Sequence, residues 1–183
     1  MKKTVLTFGL ISGLMISVLM GGSMVFAQKM GAGHSMTLGY TMMVASFLLV
    51  YFGIRSYRDN TLAGKISFGR AFACGILIAL IACVCYVAMW EILYFNFIPH
   101  FMDSYWAAQI ARVQAAGLDP ATTAARIAVI ERSQQLYQNI FVNMAYTFIE
   151  PFPVALIITL VSAAILRRKS PVESAAAPAV KAT

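Results

Sequence analysis

Four long apolar stretches dominate this chain, and most of its charged residues lie in the segments between and beside them. Each stretch meets the requirement of roughly 20 apolar residues for crossing the hydrocarbon core of a bilayer. In lipid each must form a helix, because every backbone N–H and C=O has to find its partner within the segment. The predicted spans are residues 4–27, 36–54, 71–98 and 140–166.

A longer and more polar segment, residues 99–139, separates the third and fourth spans. Gly117 is typical of a helix C-cap, and Asp119 followed by Pro120 is typical of a helix start. Mostly apolar residues then recur every three or four positions, as on one face of an amphipathic helix. They are Ile127, Ile130, Gln134, Tyr137 and Phe141. We expect two helices here, the second running into the fourth span; a spacer lying on lipid is the alternative.

Composition supports a membrane protein. The chain is 60% hydrophobic and 11% charged, whereas soluble domains are about 45–50% apolar and about 25% charged. The net charge of +7 does not indicate nucleic-acid binding, because the basic residues lie at the ends of apolar stretches. The predicted fold is all-α: one polytopic domain, residues 1–169, with four transmembrane helices and an extracytoplasmic helical segment between helices 3 and 4. Residues 170–183 are predicted to be a disordered cytoplasmic tail.

The positions of the basic clusters predict an orientation. Lys and Arg precede the first span, separate the second from the third, and follow the fourth. The positive-inside rule then places both termini in the cytoplasm. The first 27 residues also resemble a signal peptide that could be cut after Ala27. Their apolar run is longer than the usual signal sequence, so a retained helix is favoured and cleavage is the alternative.

Small residues recur every four positions along the first span. They are Gly9, Gly13, Ser17 and Gly21. Small side chains at this spacing let helix backbones approach closely in a membrane. Packing within the chain is one interpretation of this face, and a homo-oligomer formed through it is the other.

Two glutamates, Glu91 and Glu150, interrupt otherwise apolar spans. A charge at mid-membrane costs roughly 2.5–3.5 kcal/mol or more, so such a group usually has a partner or a function. With a rise of 1.5 Å per helical residue, Glu150 lies about 25 Å from Arg167, and Glu91 about 31 Å from Arg70. Both carboxylates are therefore expected towards the outer surface.

Glu150 has the more polar surroundings. At 100° per residue, Asn139, Asn143 and Tyr146 lie near its direction and are predicted to form a polar stripe along the helix. Two prolines, at positions 151 and 153, follow it and remove backbone donors, which frees carbonyl oxygens beside the carboxylate. Carboxylates and free carbonyls can hold a cation or a water. The predicted ligand- or ion-binding residues are Glu150, Glu91, Asn143, Tyr146 and Asn139.

The sequence leaves three interpretations of the role of these carboxylates. They lock the helices together, they line a pocket for a proton, cation or small ligand, or they form a metal or catalytic site with His100. The chain has no HExxH or GxSxG motif, and we predict no catalytic residue, metal or cofactor. His34 is expected to be a loop residue. The cysteines are expected to be small buried side chains; they are Cys74, Cys83 and Cys85.

The segment between the second and third spans contains Arg58 and Asp59. We expect the two to pair locally and to cap helix ends. A docking surface for a cytoplasmic partner is the alternative.

Several segments of the chain resemble a known family. They are "MKKTVLTFGLISG", "GYTMMVASFLLVYFGIRSYRDNTLAGKISFGRAFACG", "YVAMWEILYFNFIPHFMDSY" and "FIEPFPVALIITLVSAAILRRK". They are similar to the bacterial membrane family catalogued as domain of unknown function 4199, over nearly the whole chain up to Lys169. The resemblance implies a small four-helix inner-membrane protein with a wide outer segment. It implies no activity, so it assigns no functional residue.

The leading functional hypothesis is a non-enzymatic membrane subunit or accessory protein with a polar pocket near the outer surface. The alternative is a small proton- or cation-coupled transporter or channel component that uses Glu91 and Glu150. A membrane-embedded enzyme is the third. The predicted partners are the lipid bilayer and a second copy of the chain; the sequence does not identify any other partner protein.

Overall fold

The fold of the protein is predominantly helical over the described residues, which are 1–30, 36–97 and 101–168 of a computed structural model. No β-strand occurs among them. The helices are α1 (Lys2–Met30), α2 (Met36–Thr61), α3 (Phe68–Asn96), α4 (Phe101–Gln114), α5 (Pro120–Tyr137), α6 (Ile140–Ile149) and α7 (Pro151–Leu166).

Four helical stretches are long and apolar enough to cross a membrane, which confirms the predicted fold class. They are Lys2–Ser23, Thr37–Thr61, Phe68–Asn96 and Ile140–Leu166. The second is predicted to end at residue 54 but continues to Thr61. A helix does not have to stop where its apolar run stops, and α2 ends only before Ala63 and Gly64, which have positive φ angles of 49° and 80°. The predicted tail, residues 170–183, lies outside the described residues.

The chain divides into two compact units. The first comprises Met1–Tyr86 together with the chain from Glu150 onward, and the second comprises Val87–Ile149. The first unit therefore contains α1, α2, most of α3, and α7. The prediction of a single membrane domain ending at residue 169 stays a prediction.

Contacts within the first unit define an up–down order of helices. Towards the C-terminus of α1, its contacts shift towards the C-terminus of α3 and towards the N-terminus of α2. Helix α1 is therefore parallel to α3 and antiparallel to α2. By the same argument α7 is antiparallel to α3. The contacts are Ser12–Ser46 and Phe8–Gly53 for α1 with α2, Gly9–Ile81 and Gly13–Cys85 for α1 with α3, and Gly75–Thr159 and Tyr86–Glu150 for α3 with α7.

This order gathers basic residues at one end of the first unit, which we call the basic end. It combines the start of α1, the end of α2, the start of α3 and the end of α7. Its charged residues are Lys2, Lys3, Arg55, Arg58, Lys65, Arg70, Arg167 and Arg168, with Asp59 as the acidic residue among them. The basic end is therefore strongly cationic, as expected for the cytoplasmic side of a membrane protein.

Arg58 links the α2 end to the α7 end. Its guanidinium donates to both carboxylate oxygens of Asp59, at 2.7 and 3.1 Å, and to the backbone carbonyl of Leu166 at 3.4 Å. Nearby, the backbone N–H of Arg168 donates to the Ile66 carbonyl at 2.9 Å. The expected local pair with a helix-capping role is confirmed. The bond to Leu166 satisfies one of the carbonyls that the last turn of a helix leaves without an intrahelical partner.

The face of small residues on α1 packs within the chain. A Cβ atom built on Gly9 would lie 2.9 Å from the Cβ of Ile81, and one built on Gly13 would lie 2.6 Å from the sulfur of Cys85. Ser17 donates to the Cys85 carbonyl at 3.3 Å. These positions allow α1 and α3 to approach closely. The homo-oligomer through this face stays a prediction, and α3 would have to leave the face for it to form.

In the second unit, the predicted helix signals lie where the helices end and begin. Gly117 has a positive φ of 65° after α4. Asp119 accepts a hydrogen bond from the Thr122 N–H at 3.0 Å at the start of α5. The bonds from Thr122 hold the pKa of Asp119 below its usual value.

One expectation for this segment is wrong. The second helix of this segment is predicted to run into the fourth span, but α5 ends at Tyr137 and α6 begins at Ile140. The Asn139 side chain accepts from the backbone N–H groups of Phe141 and Val142, at 3.0 and 3.4 Å, and so caps a new helix. Phe141 is consequently not on the half-buried face of α5 and is 78% exposed.

Candidate functional site

Glu150 lies at an interruption of the fourth span, between α6 and α7. Pro151 has no N–H to donate to the Thr147 carbonyl, and Pro153 has none for the Ile149 carbonyl. The predicted break next to the carboxylate is therefore present, and its cause is the proline pair. Backbone acceptors without an intrahelical donor accompany the carboxylate at this point of the span.

The Glu150 carboxylate has a phenol partner on α3. The Tyr86 hydroxyl donates to Oε2 of Glu150 at 3.0 Å. Tyr86 is buried, at 6% exposure, whereas Glu150 as a whole residue is exposed. One carboxylate oxygen thus turns towards the helix bundle while the rest of the residue stays accessible. The sequence prediction did not include Tyr86, because nothing in the local pattern of α3 distinguishes it from other aromatic residues of that helix.

A small cavity of about 40 Å³ lies beside this pair. Its lining includes Met20 and Ser23 of α1, Met42 and Met43 of α2, Tyr86 of α3, and Glu150. All four spans therefore contribute to the wall. These residues lie near the end of α1, the start of α2 and the start of α7, which is the end of the unit opposite the basic end. We call this space the Glu150 cavity.

The size of the Glu150 cavity limits what it holds. A water needs roughly 10–15 Å³ by this measure of volume, so about 40 Å³ has room for a few waters or an ion with one or two of them. Among the described residues, the polar side chains on its wall are a carboxylate, a phenol and the Ser23 hydroxyl, which donates to the Met20 carbonyl at 2.8 Å. The volume and these oxygen groups suit a small ion or a few waters.

Asn143, another predicted site residue, lies in the second unit and is fully buried. Its side-chain oxygen accepts from the Trp90 indole N–H at 2.9 Å and from the Thr147 hydroxyl at 3.1 Å. Its side-chain nitrogen donates to the Tyr137 carbonyl at 3.3 Å. The amide thereby ties α3, α6 and the end of α5 together. Its contacts indicate a structural role within the second unit.

The other two members of the predicted polar stripe, Asn139 and Tyr146, have different environments from Asn143. Asn139 caps α6, and Tyr146 is 57% exposed, with its ring 6.2 Å from that of Tyr137. Tyr137 also meets Tyr94 at 5.7 Å and Trp106 at 6.0 Å. Burial raises the pKa of Tyr137 to about 12, so its hydroxyl stays protonated at neutral pH. The stripe is an aromatic and amide cluster of the second unit.

Glu91 also lies in the second unit, and its environment is unusual. Both carboxylate oxygens are buried, and no described residue forms a hydrogen bond with either. A buried polar group without a partner is costly, and in a membrane span it marks a functional candidate. The structure assigns Glu91 and Glu150 to different units.

His100, which the third interpretation places in a metal or catalytic site, lies outside the described residues. His34 also lies outside them. Among the described residues, no group of three or more His, Cys, Asp or Glu side chains could hold a metal ion. The cysteines are free thiols; Cys74 and Cys83 are buried as predicted, and Cys85 is half-buried.

The comparison with protein families gives a match over most of the chain. The model of the family described as protein of unknown function (DUF4199) matches residues 7–168. The chain belongs to this family. The match covers all four candidate spans almost completely, so the resemblance noted from the quoted segments is confirmed. No curated protein and no solved structure matches the chain.

Proposed function

We propose that this DUF4199 protein is a non-enzymatic accessory protein of the bacterial inner membrane that binds a small cation in the Glu150 cavity. The observation that carries the proposal is the Tyr86–Glu150 hydrogen bond on the wall of a cavity built by all four spans. A carboxylate held at a defined position beside other oxygen donors favours a cation over an anion or a neutral ligand. Its negative charge would also offset the cost of bringing a positive ion into the bilayer region.

The orientation is part of this proposal. The cationic basic end supports a cytoplasmic position for both termini, since the positive-inside rule counts Lys and Arg near the ends of spans. The Glu150 cavity would then open towards the outside, where ions arrive from the periplasm.

A cysteine-labelling experiment tests this orientation. Single cysteines at position 65, in the α2–α3 turn, and at position 126, on the exposed face of α5, would be compared in a cysteine-free background in intact cells. A membrane-impermeant maleimide is expected to label position 126 and to label position 65 only after the membrane is broken. Labelling of position 65 in intact cells would reverse the orientation.

Cation binding is tested with Glu150→Gln in the full chain, purified in lipid nanodiscs. Glutamine keeps the size of the side chain and an acceptor for Tyr86 but removes the charge. The wild type is expected to bind about one monovalent ion per chain, in a panel of Na⁺, K⁺ and Ag⁺ examined by calorimetry. The variant should bind at least about tenfold more weakly, a loss of about 1.4 kcal/mol or more in binding free energy.

Glu131→Gln is the matched control, because Glu131 is an exposed carboxylate on α5, remote in sequence from the cavity. It should bind like the wild type. If no cation of the panel binds to the wild type, or if Glu150→Gln binds equally well, cation binding at this cavity is wrong.

A proton- or cation-coupled transporter is the second candidate, and Glu91 is the observation that favours it. A buried carboxylate without a described partner is typical of groups that carry protons in transporters. If the chain is an accessory protein, proteoliposomes that contain it alone should show no pH-driven cation flux. Flux that disappears in Glu91→Gln and in Glu150→Gln would instead establish the transporter.

A further inference from the structure

Thioether side chains are concentrated at the Glu150 cavity. Three of the 11 methionines of the chain, Met20, Met42 and Met43, line this one small space. Met20 and Met43 are buried, at 8% and 5% exposure. They come from two antiparallel helices, α1 and α2, so their convergence is a product of the fold and not of a local sequence repeat.

The ligand preferences of metal ions distinguish between the cations that such a wall could hold. Thioether sulfurs are soft ligands that favour Cu(I), whereas Mg²⁺ and Ca²⁺ require six or more oxygen ligands. Among the described residues, the wall of the cavity includes three methionines and three residues with side-chain oxygens, namely Glu150, Tyr86 and Ser23. All three of these oxygen groups already bond to protein atoms. The donor set therefore fits a soft ion better than a hard one.

Charge and size agree with this assignment. Thioethers are neutral, so they cannot compensate the charge of a bound ion, and Glu150 is the charged residue on the described wall. One carboxylate balances one monovalent cation. The volume of about 40 Å³ accommodates a bare ion ligated by protein groups. Methionine is also a flexible filler of irregular apolar gaps, but a filler role alone does not account for a carboxylate and a phenol on the same wall.

We propose that the Glu150 cavity is a site for one soft monovalent metal ion, Cu(I) or its analogue Ag(I). The sulfurs of Met20, Met42 and Met43 provide the ligands, and Glu150 provides the counter-charge. This inference rests on the proposed function, because it names the cation that the cavity takes. No electron transfer is involved; the ion enters and leaves in the same oxidation state.

The test uses Ag(I) with the full chain in lipid nanodiscs, because silver does not change its oxidation state under these conditions. Thiols also bind silver, so the measurements are made in a background in which the three cysteines are alanine. The Met42→Leu/Met43→Leu variant nearly conserves side-chain volume and removes two sulfurs. It is expected to bind Ag(I) at least tenfold more weakly, while Met144→Leu, an exposed position on α6, binds normally.

A second readout does not depend on the variants folding. In wild-type protein labelled with ¹³C at the methionine methyl groups, one equivalent of Ag(I) should shift the resonances of Met20, Met42 and Met43 and leave that of Met144 in place. Shifts confined to other methionines, or unchanged affinity in the double Leu variant, would overturn the soft-metal assignment. If Na⁺ or K⁺ binds at Glu150 and Ag(I) does not, only this inference fails. If no cation binds, the proposed function fails with it.

Discussion

Replacing Asn143 with leucine should lower the free energy of unfolding by about 2–4 kcal/mol, although the two side chains are similar in size. The amide is fully buried and accepts from both Trp90 and Thr147 while donating to the Tyr137 carbonyl. Removing one member of such a buried network costs about 1–3 kcal/mol for each polar group left without a partner. Thermal unfolding of the purified chain in one detergent, followed by near-UV circular dichroism, measures the loss.

The control for this prediction is Met144→Leu, the next residue on the same helix, which is 40% exposed. It should change stability by less than about 0.5 kcal/mol. An Asn143→Leu protein as stable as the wild type would mean that the Asn143 contacts do not hold the second unit together, and would reopen a ligand-binding role for the predicted polar stripe.

A bulky side chain at Gly13 should be the second strongly destabilising change. A Cβ atom there would already lie 2.6 and 2.7 Å from the sulfur and Cβ of Cys85. Gly13→Ile therefore forces α1 away from α3, and overpacking of this kind typically costs 1–3 kcal/mol. We expect a lower unfolding temperature, with the oligomeric state of the remaining folded protein the same as that of the wild type.

Gly22 offers the matched control on the same helix, since a Cβ atom built there meets nothing within 4 Å. Gly22→Ala should leave stability unchanged or raise it slightly, because alanine has the higher helix propensity. If light scattering instead shows a wild-type dimer that Gly13→Ile converts to a stable, folded monomer, the small residues of α1 form an interface between copies of the chain.

The broad architecture follows from local properties of the sequence, which is why it could be predicted. Hydrophobic length alone locates the four candidate spans, and Asp119 with Pro120 signals a helix start through capping that needs no tertiary contact. The break at Glu150 was equally predictable, since Pro151 removes a specific backbone donor wherever the helix packs. Arg58 and Asp59 are adjacent in sequence, so their pairing required no knowledge of the fold.

The partners of the candidate site residues could not be predicted in the same way. Tyr86 lies 64 positions from Glu150 and Trp90 lies 53 positions from Asn143; these pairs depend on how the helices rotate and pack. Helical periodicity grouped Asn143 with Asn139, but the chain interrupts the helix at Asn139 and uses that side chain as a cap. That Met20, Met42 and Met43 line one cavity likewise depends on the antiparallel packing of α1 against α2.

The most direct test of the account is a structure of the full chain in lipid nanodiscs, determined once with Ag(I) and once with Na⁺ alone. With silver, we predict one strong density peak in the Glu150 cavity, between the Glu150 carboxylate and the sulfurs of Met42 and Met43. A cavity without ion density in either condition, with Glu150 bonded to Tyr86 in a dry and fully packed setting, would contradict cation binding and leave the carboxylate with a purely structural role.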